Sequence, residues 1–159
     1  MRSFVTALCL VAGLVSCKQK PGFHEYADIE TYWRSSDTIQ FVVEAKDTTE
    51  LNTLSLEVRN SSDYEWSRFF AGFEIMDSVG HQLDSGLVSG LLFDPVTGKA
   101  RGESGIGDLF ENEILIRNDF RFPYRGKFTI QFWQMMRRDS LEGIQNIGVS
   151  LMPKTLAGQ

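Results

Sequence analysis

Side chains able to do chemistry are scarce in this chain. It holds two histidines, His24 and His81, and two cysteines, Cys9 and Cys17, so the stock for a metal site or a nucleophile–base pair is small. His24-Glu25-Tyr26-Ala27-Asp28 opens like the zinc helix H-E-x-x-H, but Asp28 stands where the second histidine belongs and no helical period surrounds it. Thr97-Gly98-Lys99 has the ending of a phosphate loop, yet the first glycine of that loop would fall on Phe93, and Ala100 replaces the hydroxyl residue that would meet magnesium. Gly102 to Asp108 carries its glycines in the order G-x-x-G-x-G, the reverse of a dinucleotide fingerprint, and a tight, backbone-exposed loop is expected there. No serine sits in G-x-S-x-G, and His81 falls in a glycine-containing turn. Glu103, Asp108, Glu111 and Glu113 are close enough in sequence for acid–base work of the glycosidase type; the plainer reading is a solvated acidic loop. The expectation is no catalytic residue, no metal, no cofactor and no small-molecule substrate.

The chemistry that remains is covalent attachment at Cys17. Met1-Arg2-Ser3 supplies one cation, and Phe4 to Val15 is an apolar run of export-signal length, too short to span a bilayer permanently. It ends in Leu14-Val15-Ser16-Cys17, a lipobox whose cysteine thiol receives diacylglycerol, and the chain turns polar at once with Lys18-Gln19-Lys20-Pro21-Gly22. Residues 1–16 are therefore expected to be removed, with Cys9 among them. The mature chain has no free thiol, and its stability must come from packing. Loss of Arg2 leaves fifteen cations against twenty-one acids, a net charge of −6 in place of −5. An acidic body is repelled by anionic lipid, so the acyl chains, not a protein face, are expected to hold it to the bilayer. No basic block runs beyond Arg137-Arg138, which excludes nucleic acid as a partner. Lys18 follows the anchor and the first acid is Glu25, which favours the periplasmic leaflet of the outer membrane.

The elements behind the anchor alternate with period two. Residues 17–37 read as lipid anchor, tether and lead-in, with Pro21 and Gly22 as punctuation, and residues 38–159 as one domain. Ile39 to Ala45, Leu54 to Arg59, Phe69 to Ile75, Gly86 to Phe93, Gly126 to Met136 and Asn146 to Met152 are half-buried strands by pattern. Asp47-Thr48-Thr49, Asn60 to Asp63, Asp77 to Gly80 and Asp94 to Gly98 are the turns between them. The one helical turn expected is Asp139 to Ile144, capped by Asp139. Short strands at this spacing predict an all-β fold, an antiparallel two-layer β-sandwich or jelly roll. On its strand Trp133 should point away from Phe132, which allows a stacking platform for sugars, with Tyr64 and Trp66 as further aromatics; core packing is the commoner fate of such rings.

Four stretches together resemble the gliding-motility-associated lipoprotein GldH family of Bacteroidetes. They are Leu56 to Tyr64, the glycine loop from Gly98-Lys99 to Gly107-Asp108, Phe120 to Phe128, and above all Gln134 to Val149; Trp33 ahead of Phe41 fits the same pattern. Ala100 and Trp66 depart from it, where an aromatic and a tyrosine are usual. The resemblance implies a non-enzymatic outer-membrane lipoprotein, an adaptor with protein partners in the motility and linked secretion machinery. A carbohydrate-binding sandwich is the alternative. Arg137, Asp139 and Asp108 are the candidate interaction surface, the first two within a segment whose glycines, Gly143 and Gly148, also permit a purely structural corner. Asp followed by Ser or Thr recurs at Asp37-Thr38, Asp47-Thr48, Asp77-Ser78 and Asp139-Ser140, the pattern of O-glycosylation in exported proteins of that phylum. Thr48 and Ser78, in turns, are the expected acceptors.

Overall fold

The computed structural model describes residues 22–105 and 107–154. The strands are β1 (Phe23–Asp28), β2 (Trp33–Arg34), β3 (Ile39–Ala45), β4 (Asn52–Ser61), β5 (Arg68–Asp77) and β6 (Gln82–Leu91). They continue with β7 (Glu103–Ser104), β8 (Leu109–Phe120), β9 (Gly126–Gln134), β10 (Ser140–Leu141) and β11 (Ile144–Pro153). Two antiparallel sheets face each other, one ordered β1-β11-β4-β8-β7 and the other β3-β9-β5-β6, and β2 pairs with β10 beside them.

Alternation decides which face each strand buries. Leu54, Leu56 and Val58 of β4 and Ile147, Val149 and Leu151 of β11 point inward from the first sheet; Phe69, Phe73 and Ile75 of β5 and Phe128, Ile130 and Phe132 of β9 answer from the second. All join one apolar cluster, which is the all-β two-layer sandwich the pattern predicts. At Gly90 the two sheets come so close that a Cβ would strike Ile114 of the opposite sheet.

Three expectations are corrected. Phe23–Asp28, placed in the tether, is a strand paired from Phe23↔Leu151 to Asp28↔Asn146, so the folded unit begins well before residue 38. It lies at the sheet edge with no residue fully buried, and it lacks strict apolar alternation. Leu109–Phe120, whose first half read as an acidic loop, is the longest strand: Asn112, Ile114 and Ile116 face inward while Glu111, Glu113 and Arg117 decorate the outside. Asp139 to Ile144 forms no helical turn. Ser140 and Leu141 pair with Arg34 and Trp33, and Gly143 takes φ 79°, which a right-handed helix cannot contain.

Candidate functional site

The register sorts the connections into two ends. Ser61 of β4 lies opposite Leu109 of β8, and the Ser61 amide donates to the carbonyl of Gly143 at 2.8 Å. The β4–β5 turn, the β7–β8 turn and the β9–β11 corner therefore share one end, which holds Asp108, Arg137 and Asp139. At the other end Ala45 lies opposite Gly126 and Asp77 opposite Phe128. That gathers the turns after β3, β5 and β8, and with them Thr48 and Ser78.

The Arg137 corner is clamped from several sides. Gln134 ends β9 buried; its Nε2 donates to the Arg138 carbonyl at 2.6 Å and its Oε1 accepts the Met136 amide at 2.9 Å. The Ser35 amide donates to the Asp139 carbonyl at 2.9 Å, and Leu141 is fully buried behind it. Between these fixed points Arg137 sits at φ 56°, the only left-handed non-glycine among the described residues. The Arg138 guanidinium lies 5.5 Å over the Trp66 ring. Arg137 and Asp139 are exposed and share a shallow groove of 290 Å³ with Ser35, Trp133, Met135 and Arg138. Asp108 is exposed at the margin of the same end, and no hydrogen bond or ion pair links it to Arg137 or Asp139 among the described residues. Trp133 does point away from Phe132; its indole lies across Gly72, where any Cβ would collide with the ring.

The glycine loop at this end is organised by Asp94, which motif reading passed over. Its carboxylate accepts the amides of Val96 and Thr97 at 3.0 Å and the Arg101 guanidinium at 3.0 Å. These bonds, the Thr97 amide foremost, hold the acid far below the usual carboxylate range. The Val96 and Thr97 amides and the Arg101 guanidinium are thus committed to Asp94. The signal was visible as an Asp opening a Pro-Val-Thr-Gly turn.

Glu103, Glu111 and Glu113 share an open cleft of 460 Å³ with Glu57 and Arg101, and Asp108 is not among its lining residues. Glu111 and Glu113 sit on the outer face of β8, with Glu103 opposite Glu111, while Asp108 lies in the preceding turn. Glu111 is 2.9 Å from Arg59, Glu113 accepts the hydroxyl of the fully buried Ser55 at 2.6 Å, and Glu57 accepts the Tyr26 hydroxyl at 3.4 Å. Burial, then the neighbouring Glu113, raises the Glu57 carboxyl above its ordinary range. No three His, Cys, Asp or Glu side chains among the described residues are placed to hold a metal ion. His24 lies in β1 against Tyr26, and His81 is 3.2 Å from Asp77.

At the opposite end Ser78 is exposed and Thr48 half-buried, each in a strand-connecting turn. Cys17 lies outside the described residues.

The family model described as GldH lipoprotein matches residues 22–151, from the start of β1 into β11. A protein of Christiangramia forsetii named gliding motility lipoprotein GldH homolog is 27% identical, with 93% of this chain and 95% of that protein covered. Gliding motility lipoprotein GldH of Flavobacterium johnsoniae is 23% identical, covering 97% and 99%. Among solved structures, a subviral particle of infectious bursal disease virus aligns with 93% of this chain and 38% of its own at 13% identity and TM-score 0.37, too slight a likeness to bear on function. The match spans nearly the whole folded unit and includes the Gln134 to Val149 corner, so the chain belongs to the GldH family of gliding motility lipoproteins.

Proposed function

We propose that this lipoprotein works as a non-enzymatic adaptor of the gliding-motility and linked secretion apparatus. In this reading Cys17 carries the lipid in the periplasmic leaflet of the outer membrane, and the Arg137 end meets a protein partner. The observation that carries it is Arg137 itself. A left-handed conformation costs an L-residue about 1 kcal/mol relative to glycine, and here a large exposed cation occupies it on a rigid corner. A position that favours glycine on folding grounds holds arginine, which points to use of the side chain. Arg137→Gly separates the two roles. The variant should melt at the same or a higher temperature than wild type while capturing less partner from detergent-solubilised native membranes. Unchanged capture would leave Arg137 without a binding role.

A second reading, carbohydrate binding, draws on the indole of Trp133 lying across Gly72 beside the groove that Arg137 and Asp139 line. It requires saturable glycan binding that Trp133→Ala abolishes.

A further inference from the structure

The end of the sandwich remote from Arg137 carries a turn of unusual composition. From the end of β8 into the start of β9 the chain reads Arg121-Phe122-Pro123-Tyr124-Arg125-Gly126-Lys127, three cations and no acid within seven residues of a protein that is acidic overall. Arg121, Arg125 and Lys127 are exposed and form no ion pair with any described residue. The acids around them are occupied. Glu44 lies 3.7 Å from Lys46, Asp119 2.6 Å from Lys154, and Asp47 accepts from Thr49 at 2.7 Å; Asp47 and Glu50 have further partners. Asp77 receives the Tyr124 hydroxyl at 2.5 Å and the amides of Val79 and His81. Tyr124 is fixed by that bond and by its ring contact with Phe128, yet 45% of it is exposed, and on the adjacent turn Val79 is 73% exposed.

The chain reaches its anchor from this same end. Phe23 pairs with Leu151 at the start of β1, and a cleft of 360 Å³ there is lined by Phe23, Ala45, Lys46, Phe122 and Pro153 among others. Cys17 precedes Phe23 by six residues, a reach of about 20 Å at full extension. A ten-residue strand such as β4 or β11 is itself about 33 Å long. A lead this short permits the sandwich to stand on this end or to lie on its side, and unpaired cations beside a fixed tyrosine favour standing.

We propose that the β8–β9 turn is seated on anionic phospholipid headgroups, with Arg121, Arg125 and Lys127 as its contacts and Tyr124 at the interface, so that the Arg137 end points away from the bilayer. The inference rests on lipidation at Cys17. Each basic side chain near an anionic surface contributes about a five-fold preference, which the charges of Asp47, Glu50 and Asp77 at the same end reduce, so the expected bias is several-fold at low salt. The acids at the Arg137 end do not oppose this, because the surface senses charges only within about a Debye length, roughly 8 Å at physiological salt. Ser78, beside Val79, would then face lipid, and a glycan there would hold the turn off the surface.

The test uses the full lipidated chain carrying Val79→Cys or, as the distal reference, Val96→Cys at a 90% exposed site. Each is labelled with a fluorophore and placed in phosphatidylcholine vesicles with or without phosphatidylglycerol, doped with a headgroup nitroxide quencher. With phosphatidylglycerol, the label at 79 should be quenched several-fold more than the label at 96. That difference should collapse without the anionic lipid, at about 1 M salt where the Debye length falls to about 3 Å, and in the triple variant R121Q/R125Q/K127Q. Equal quenching at both sites, indifference to salt and to the triple variant, or a glycan found on Ser78 of native protein would overturn the proposal. Flotation with the vesicles reads the anchor separately. A chain that does not float refutes lipidation, and the proposal with it, whereas one that floats with equal quenching refutes only the orientation.

Discussion

Gly143 should be the least replaceable glycine of the Arg137 corner. Its φ of 79° costs any L-residue about 1 kcal/mol, and a Cβ there would lie within 2.8 Å of the Tyr64 Cβ and closer still to that residue's backbone nitrogen and Cα. Tyr64 cannot yield cheaply: it is buried, its amide donates to Ser61 and its hydroxyl to the Arg68 carbonyl at 3.0 Å. Relief must come from the corner, which would draw the Gly143 carbonyl off the Ser61 amide. A buried donor left unpaired costs about 1–3 kcal/mol. Gly143→Ala should therefore lose about 2–4 kcal/mol, which in a domain of this size lowers the melting temperature by about 6–20 °C. Gly80→Ala is the control, since Gly80 has φ 86° but open space around its Cβ position. It should pay only the dihedral cost, about 1 kcal/mol or roughly 3–5 °C. Calorimetric melts of the two variants give the comparison. Equal shifts would show that Tyr64 exerts no steric control over the corner.

Cys17→Ser should leave the melt unchanged and move the protein from the membrane pellet to the soluble fraction, since the acyl chains supply the membrane affinity; wild-type recovery in the pellet would refute this. Tyr124→Phe removes the bond that, ahead of the His81 and Val79 amides, holds Asp77 down to about 2. A depressed carboxylate stabilises the fold above its unfolded value of about 4 and loses that effect as the pH falls through the folded one. The variant should thus be less stable than wild type at pH 7, with the gap closing between about pH 4 and pH 2, as melts across that range would report. Glu57 has the opposite sign. Burial raises its carboxyl, so its ionisation opposes folding as the pH rises past the ordinary glutamate range of about 4.3. Glu57→Gln should melt higher than wild type at pH 7 and alike at pH 3.

Strands that bury one face between the two sheets are legible from their alternation. Ile39 to Ala45 and Phe69 to Ile75 alternate cleanly for that reason, and their predicted limits fall on or within β3 and β5. β1 was not legible, because none of its residues is fully buried and its sequence resembles a linker, whereas β3, also an edge strand, buries Phe41, Val43 and Ala45. β8 was half hidden: Glu111 and Glu113 suggest a loop when the inward Asn112 is read as polar, although it is buried and its Nδ2 donates to the Asn60 side-chain Oδ1 at 2.9 Å. The corner was legible as a cluster of special residues. Its left-handed arginine was not, because nothing in residue types marks a positive φ at a position other than glycine. The two ends of the sandwich became distinguishable only with register, which separates Thr48 and Ser78 from Arg137 and Asp139.

The proposal that the Arg137 end meets a protein partner is tested most directly by a photo-crosslinking residue at position 139 in intact cells, with the same residue at position 87 as reference. Leu87 is 60% exposed on the outer face of β6, across Gly72 from Trp133 and outside the groove that Arg137 and Asp139 line. A discrete higher-mass adduct from 139, absent at 87 and lost on adding Arg137→Gly, is the predicted result. Adducts of equal yield from both positions, or from 87 alone, would contradict it.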